Sequence, residues 1–342
     1  MTTRIKDIAD KANVSTATVS LVLNNKPGVN QKTRERVIAT ARDLGYPLTQ
    51  TLFYKQLKRG TVKFLKIVKH GHVLNRDHDV FISDYIEGLD LEARNHGYSL
   101  EINSFNTKNM NEVIHHIEDS HLNGIVILGT ELNEEDISNF ENRFSVPIVF
   151  IDTIYDYLNF DFVDMNNIDS VYTIISYLVK QGHKNIGLIT TYVEARNFRL
   201  RELGYSKVLK HFNIPINEQF IYKVDSTFNG AYNDMIKILN RHRELPSAIF
   251  AVNDITAYGC IKAIKENGYK VPDDISIVGF DDLPLSELME PALTTMRVSK
   301  RRIGKVAIQI LNERIKSKKV FPPIKTVISG NLIERSSVKS LI

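Results

Sequence analysis

The chain has 342 residues, 43% hydrophobic and 25% charged, which is the composition of a folded globular protein too long for one ordinary core, so two or three units are expected. No apolar run approaches the ~18 residues a membrane span needs, and Met1-Thr2-Thr3-Arg4-Ile5-Lys6-Asp7 lacks the apolar stretch of a secretory signal, so a cytoplasmic protein with no membrane partner is expected. The net charge of +4 conceals a split, because eleven basic and four acidic residues up to Gly60 give that segment +7 and leave the remainder at −3; a small basic head on a near-neutral body is the electrostatic footprint of a nucleic-acid-binding module, although charge alone would equally suit a solvated basic surface.

Within the basic head, Ile5, Ile8, Ala9 and Ala12 recur at helical spacing. Asn13-Val14 breaks that helix, and Ser15 or Thr16 can cap a second one, Thr16 to Asn24, which turns Val19, Val22 and Leu23 inward. Thr16, Ala17, Ser20 and Leu21 stay near its exposed face. Asn25-Lys26-Pro27-Gly28 reads as a turn, and Asn30 or Thr33 can cap a third helix that runs through Leu44 and stops at Gly45. Two short helices at a tight turn, closed by a third, make a helix-turn-helix unit. Such a unit lays its second helix in the major groove of DNA.

From Val62 apolar runs alternate with amphipathic segments. Strands are expected at 64–68, 100–103, 124–128, 148–151, 186–189, 248–252 and 275–278. Helices are expected at 82–96, 110–118, 168–180, 201–211, 232–239 and 255–266. This alternation implies parallel sheets covered by helices, long enough for two lobes, with ligands bound at the carboxyl ends of strands. Cys260, the only cysteine, excludes an internal disulfide and fits a small core residue. His115, His116 and His121 fall in or after a surface helix and read as solvated. Phosphate-cradling loops, nucleophile elbows and zinc-protease motifs are absent, so no catalysis and no cofactor are expected.

Several spaced motifs occur in order. In the head they are Ile5-Lys6-Asp7-Ile8-Ala9, the run from Val14 to Asn24, Thr33-Arg34-Glu35-Arg36-Val37 and Leu44-Gly45-Tyr46. In the body they are the segments 148–152, 181–187, 201–205, 251–254, 271–282 and 291–295. Together they resemble the lac repressor/Gal repressor family over essentially the whole chain. The resemblance implies an N-terminal all-α helix-turn-helix headpiece (1–46), a hinge (47–61) and a two-lobed α/β periplasmic-binding-protein-like effector and dimerisation domain (62–342). Lobe 1 would take about 62–161 and 291–323, and lobe 2 about 162–290 and 324–342, with crossings near Asp161, Glu290 and Pro323.

By the same resemblance, Thr16, Ala17 and Leu21 read bases, Thr18, Ser20 and Asn24 hold phosphates or the helix frame, and Leu57 wedges into the minor groove. Many relatives carry a basic residue where this chain has Leu21, which can offer only apolar contact, for example to a thymine methyl. Effector contacts are implied at Asp152, Arg201, Asn253 and Asp281, with Asp282 close by. The loop 69–81 adds His70, His72 and Phe81. Carboxylates, an amide and a guanidinium suit the hydroxyls of a sugar-like ligand, although Arg201 could instead hold a phosphate or carboxylate, and each residue could be a structural cap or inter-lobe ion pair. Asp225 and Val298 replace an aromatic and a polar contact of relatives.

The expected protein is a homodimeric repressor, with a tetramer left open, bound to pseudo-palindromic double-stranded operator DNA and controlled by a small-molecule, carbohydrate effector. Two readings compete with it. The body could answer to a protein corepressor, or His70, His72 and His78 could form the metal site of a hydrolase.

Overall fold

A computed structural model describes residues 3–24, 26–46, 60–118, 122–241, 244–317 and 321–342. The expectations that concern Leu57, the hinge up to residue 59 and His121 lie outside the described residues.

Three helices form the headpiece: α1 (Ile5–Ala12), α2 (Thr16–Leu23) and α3 (Gln31–Asp43). Ile8, Ala9, Ala12, Val19, Val22, Val37, Ile38 and Ala41 form its core, with Leu23 only partly buried against it. Each helix start has a local chemical cause. The Arg4 N–H donates to the Asp7 carboxylate at 2.7 Å at the start of α1. Ser15 is the residue that caps α2, its Oγ accepting from the Thr18 N–H at 3.1 Å, and Asn30 caps α3 by accepting from the Thr33 N–H at 2.8 Å. Asn13 ends α1 in the left-handed region at φ 53°, which short polar residues tolerate. Arg34 reaches back from α3 and donates to the Lys26 carbonyl at 2.5 Å, fixing the turn that follows α2.

The body continues through β1 (Gly60–Val68), α4 (Asp79–Asn95), β2 (Tyr98–Asn106), α5 (Met110–Glu118), β3 (Gly124–Leu128), α6 (Glu134–Ser138), β4 (Ile148–Ile151) and β5 (Asp161–Met165). Then come α7 (Asn167–Lys180), β6 (Ile186–Thr191), α8 (Arg196–His211), β7 (Ile221–Val224), α9 (Phe228–Arg241), β8 (Ala248–Ala251), α10 (Asp254–Glu266) and β9 (Ser276–Asp281). The chain ends through α11 (Leu285–Leu288), β10 (Thr294–Arg297), α12 (Lys300–Lys316), β11 (Lys325–Ile328) and β12 (Asn331–Ile333).

Two six-stranded sheets result, ordered β11-β5-β4-β3-β1-β2 and β12-β10-β9-β8-β6-β7. Their central pairs are parallel, for example Val126 opposite Val149 in β3/β4 and Leu188 opposite Phe250 in β6/β8. The terminal β12 runs antiparallel to β10. It follows β11 with no helix between them, so no crossover imposes a parallel direction.

Strand membership corrects the lobe boundaries. Since β5 and β11 belong to the first sheet and β10 to the second, the chain crosses after Met165, Arg297 and Ile328, several residues later than the sequence suggests. The pattern misleads at β5 because two carboxylates interrupt a strand that is buried throughout. Arg314 from α12 neutralises Asp161 with bonds of 2.7 and 2.8 Å.

Helix α12 closes the first lobe, burying Ile303, Ala307, Ile308, Ile310 and Leu311. Glycines let it approach α4 closely: a Cβ on Gly88 would lie 2.2 Å from the Arg301 carbonyl oxygen, and one on Gly304 would lie 2.6 Å from that of Tyr85. A packed neighbour has no room for either methyl.

Candidate functional site

On the headpiece, Thr16, Ala17 and Asn24 are exposed, and Thr18, Ser20 and Leu21 are half-buried along the same helix. Three of these side chains also hold the ends of α2. Thr18 Oγ1 lies 2.9 Å from Ser15 Oγ, and Asn24 Nδ2 donates to the Ser20 carbonyl at 2.9 Å and contacts Ser20 Oγ at 3.4 Å. Among the described residues the Thr16, Ala17 and Leu21 side chains make no such bonds.

In the body, a narrow cleft with a cavity volume of about 30 Å³ lies between the carboxyl ends of the two sheets. The first lobe contributes Val73, Leu74, His78, Phe81, Thr130 and Asp152, and the second contributes Ala195, Asn197, Phe198, Arg201, Asn253 and Asp281. This is where doubly wound sheets present loops to ligands.

Asp152 and Asp281 terminate strands with positive φ, 60° and 116°. Side chains avoid that region, and its strain marks positions held for a purpose. Asp152 is held by several donors: Tyr85 Oη at 2.9 Å, Thr130 Oγ1, and Asn197 Nδ2 at 3.2 Å. Burial nonetheless pushes its carboxyl above the ordinary range. Asp281 is pushed up to about 7, again by burial, with the nearby Arg201 opposing the rise.

Arg201 is anchored on several sides. Its Nε donates to Asn167 Oδ1 at 2.9 Å, Nη1 to the Val252 carbonyl at 2.5 Å and Nη2 to Met165 Sδ at 2.9 Å, and it lies 3.6 Å from Asp281 Oδ1. A guanidinium anchored this way through Nε, Nη1 and Nη2 orients the cleft.

Asn253 caps α10, accepting from the Thr256 N–H at 2.9 Å, and faces His78 Nε2 at 3.3 Å. Burial lowers the His78 pKa to about 4. Beneath the cleft, Asp164 is wholly buried and pushed up to about 8 by that burial, with Asp152 adding to the rise.

Of the residues expected at an effector site, Phe81, Asp152, Arg201, Asn253 and Asp281 come together in this cleft, and His70 and His72 do not. The cause is Glu131, whose carboxylate collects the backbone N–H groups of Lys69, His70, Gly71, Val73 and Leu74 at 2.7–3.1 Å. The loop curls around that carboxylate, bringing Val73 and Leu74 inward and leaving His72 exposed. His70 instead lines an adjoining groove with Tyr155, Tyr192, Arg196 and Lys223.

The His72 carbonyl accepts from Ser226 Oγ across the lobes at 2.6 Å. Asp225 turns to its own loop, accepting from Thr227, and Asp282 pairs with Arg297 and Arg335. Val298 is buried. Sequence reasoning missed His78, Asn197 and Phe198 as cleft residues. For His78 a signal existed in the histidine-rich loop, but it pointed to metal. Among the described residues no three His, Cys, Asp or Glu side chains gather where a metal ion could sit.

Comparison with known proteins fits this layout. Residues 4–47 match the family described as "Bacterial regulatory proteins, lacI family", and residues 175–338 match a periplasmic binding protein-like domain. The chain is 31% identical over 344 residues to the HTH-type transcriptional repressor PurR of Haemophilus influenzae (strain PittEE), covering 99% of both chains. It is also 32% identical over 339 residues to the HTH-type transcriptional repressor CytR of Escherichia coli (strain K12), covering 98% of this chain and 96% of that one. The chain belongs to the lacI family.

It is accordingly a sequence-specific DNA-binding transcriptional regulator. The lacI-family fold extends to solved structures. A CelR–cellobiose complex aligns with TM-score 0.72 at 21% identity, over 98% of this chain and 99% of that one. A lac repressor dimer bound to operator and an anti-inducer aligns with TM-score 0.71 at 24% identity, over 99% and 100%. Among the described residues no helix is long and apolar enough to cross a membrane.

Proposed function

We propose that this regulator is a homodimeric repressor of a carbohydrate-utilisation operon, acting in the cytoplasm, whose affinity for operator DNA is set by a sugar-like molecule in the inter-lobe cleft. The observation that carries the reading is the cleft itself: polar side chains from both lobes converge on it, and two buried polar atoms there, His78 Nδ1 and Asp281 Oδ1, lack a hydrogen bond among the described residues. Buried polar atoms of a folded protein are rarely left unmatched, so a ligand that supplies both partners is favoured. The CelR structure, solved with cellobiose, provides a precedent for a carbohydrate on this fold.

Thr16, Ala17 and Leu21 are assigned to base reading, and Thr18, Ser20 and Asn24 to the phosphates and the helix frame. A two-fold dimer matches a pseudo-palindromic site because one headpiece spans too few base pairs for useful specificity. Cleft and operator are linked, so a ligand that weakens DNA binding is itself bound more weakly on the DNA complex, by the same factor. Selection from a random duplex library by the full-length protein should return a palindrome. Fluorescence anisotropy on that duplex should then shift with cellobiose, ribose or glucose. Recovery of no preferred sequence rejects the operator assignment, and an anisotropy curve indifferent to all three sugars rejects the carbohydrate assignment.

A further inference from the structure

The tautomer of one cleft imidazole is settled by its neighbour. Asn253 Oδ1 accepts from the Thr256 backbone N–H, a bond only an oxygen can take, so Nδ2 is the atom facing His78 Nε2. An amide nitrogen donates, so Nε2 must hold the lone pair. The ring is 4% exposed, and burial with a pKa lowered to about 4 keeps it neutral. Its single proton therefore sits on Nδ1, the atom with no partner among the described residues.

The cleft thus presents one unmatched neutral donor, His78 Nδ1–H, and one acceptor with no hydrogen bond among the described residues, Asp281 Oδ1, which has Arg201 Nη2 3.6 Å away. The cations beside them are already engaged. Arg201 donates to Asn167, Val252 and Met165 and lies 3.6 Å from Asp281 Oδ1, while Lys300 Nζ donates to the Asp281 main-chain oxygen at 3.0 Å and faces the Phe81 ring. An anionic ligand would enter next to the carboxyl groups of Asp152 and Asp281 and meet, in His78, a neutral donor. A hydroxyl, which both accepts and donates, meets no such penalty.

Building on the effector reading above, we propose that His78, fixed as its Nδ1–H tautomer, is the specificity-determining donor of the cleft and selects an uncharged polyhydroxyl ligand over phosphorylated or carboxylated analogues. One ligand oxygen accepts from His78 and one ligand hydroxyl donates to Asp281.

The test has a ligand-free arm and a binding arm, both on the full-length protein. With ¹⁵N-histidine labelling, the resonances lost in His78→Asn identify His78, and its nitrogen shifts should report protonated Nδ1 and bare Nε2 at pH 7.5. A proton on Nε2 overturns the donor assignment whatever binds.

Calorimetric titrations would compare cellobiose, ribose and glucose with ribose 5-phosphate and glucose 6-phosphate. At least one neutral sugar should bind, and the phosphates should bind at least about tenfold more weakly than their parents. His78→Asn places an amide N–H near the original Nδ1 and should stay within about threefold of wild type. His78→Leu should lose about tenfold while its thermal unfolding stays cooperative. Equal binding by a phosphate ester, or by His78→Leu, overturns the selection but leaves the effector site standing. Failure of all five compounds to bind the wild type overturns the proposal together with the carbohydrate reading on which it rests.

Discussion

The guanidinium carbon of Arg201 lies 3.6 Å from the centroid of the Phe280 ring, while the same group reaches Asn167, Val252 and Met165 through three different nitrogens. One side chain from α8 thus ties together the end of β5, the start of α7, the loop after β8 and the last turn of β9. A planar fork can do this and a point charge cannot. Arg201→Lys keeps the charge but loses the stacking and most of the bonds, leaving Asn167 Oδ1 and the Val252 carbonyl short of donors. The substitution should cost about 3 kcal/mol, because it breaks a buried hydrogen-bonded network. Chemical denaturation should show this as a lower midpoint. An unchanged midpoint would mean that the lobes hold their geometry without the clamp.

Glu131 acts on the loop that lines the cleft. Burial alone would raise its pKa, but the N–H bonds from His70, Leu74, Gly71 and Val73 outweigh burial and hold the carboxyl below its ordinary value. Its folded pKa is depressed, so its stabilising contribution is present above pH ~4.5 and is lost as pH falls through the lower folded value. Glu131→Gln turns one oxygen into an NH₂ group that points at N–H donors. About 2 kcal/mol of loop stability should be lost, read as faster amide exchange at residues 69–74 and weaker ligand binding in the cleft. Exchange as slow as in the wild type would show that the loop is held by other contacts.

Much of this architecture is legible in the sequence because the helices and most central strands carry clean apolar periods. What the pattern hides has local causes. Asp161 and Asp164 mask β5, whose carboxylates are tolerated only because Arg314 neutralises one and burial protonates the other. The sequence places His70 and His72 at the effector site and His78 only in a metal reading. Their separation depends on Glu131, which lies more than fifty residues away in sequence and has no local signature. The cleft role of Asn197 depends likewise on long-range bonds, to Asp152 and Asp164.

Asp164 offers a test in which a substitution should stabilise. Its Oδ1 accepts from the Met165 N–H at 2.8 Å and from Asn197 Nδ2 at 3.3 Å, while Oδ2 has no partner among the described residues. A carboxyl whose folded pKa is raised to about 8 makes the folded state bind its proton more tightly. Stability is therefore greatest below pH ~4, falls as pH rises towards 8, and carries the full penalty above that. Asp164→Asn keeps the accepting oxygen and removes the charge. A gain of roughly 2 kcal/mol is expected at pH 9, on the order of 5 °C in Tm, shrinking as pH falls and vanishing below pH ~4. A variant less stable than wild type at pH 9 would show that the ionised form has a role in the fold.

In the headpiece, stability and base reading should separate cleanly. Ser15→Ala removes the cap on α2 and should cost about 1 kcal/mol of helix stability, weakening binding by a similar factor on every operator variant. The Leu21 side chain can make no hydrogen bond, so its replacement should act through the DNA. Leu21→Ala loses apolar contact with a thymine methyl and should weaken binding about tenfold on the preferred half-site but little on a variant lacking that thymine. Leu21→Arg should move the preference towards guanine at the same base pair, since arginine can donate to O6 and N7. Parallel selections with the three proteins would settle the matter, because a shift confined to one symmetric pair of positions places Leu21 against that base. Uniform weakening across all positions, as for Ser15→Ala, would assign Leu21 to the frame of the helix.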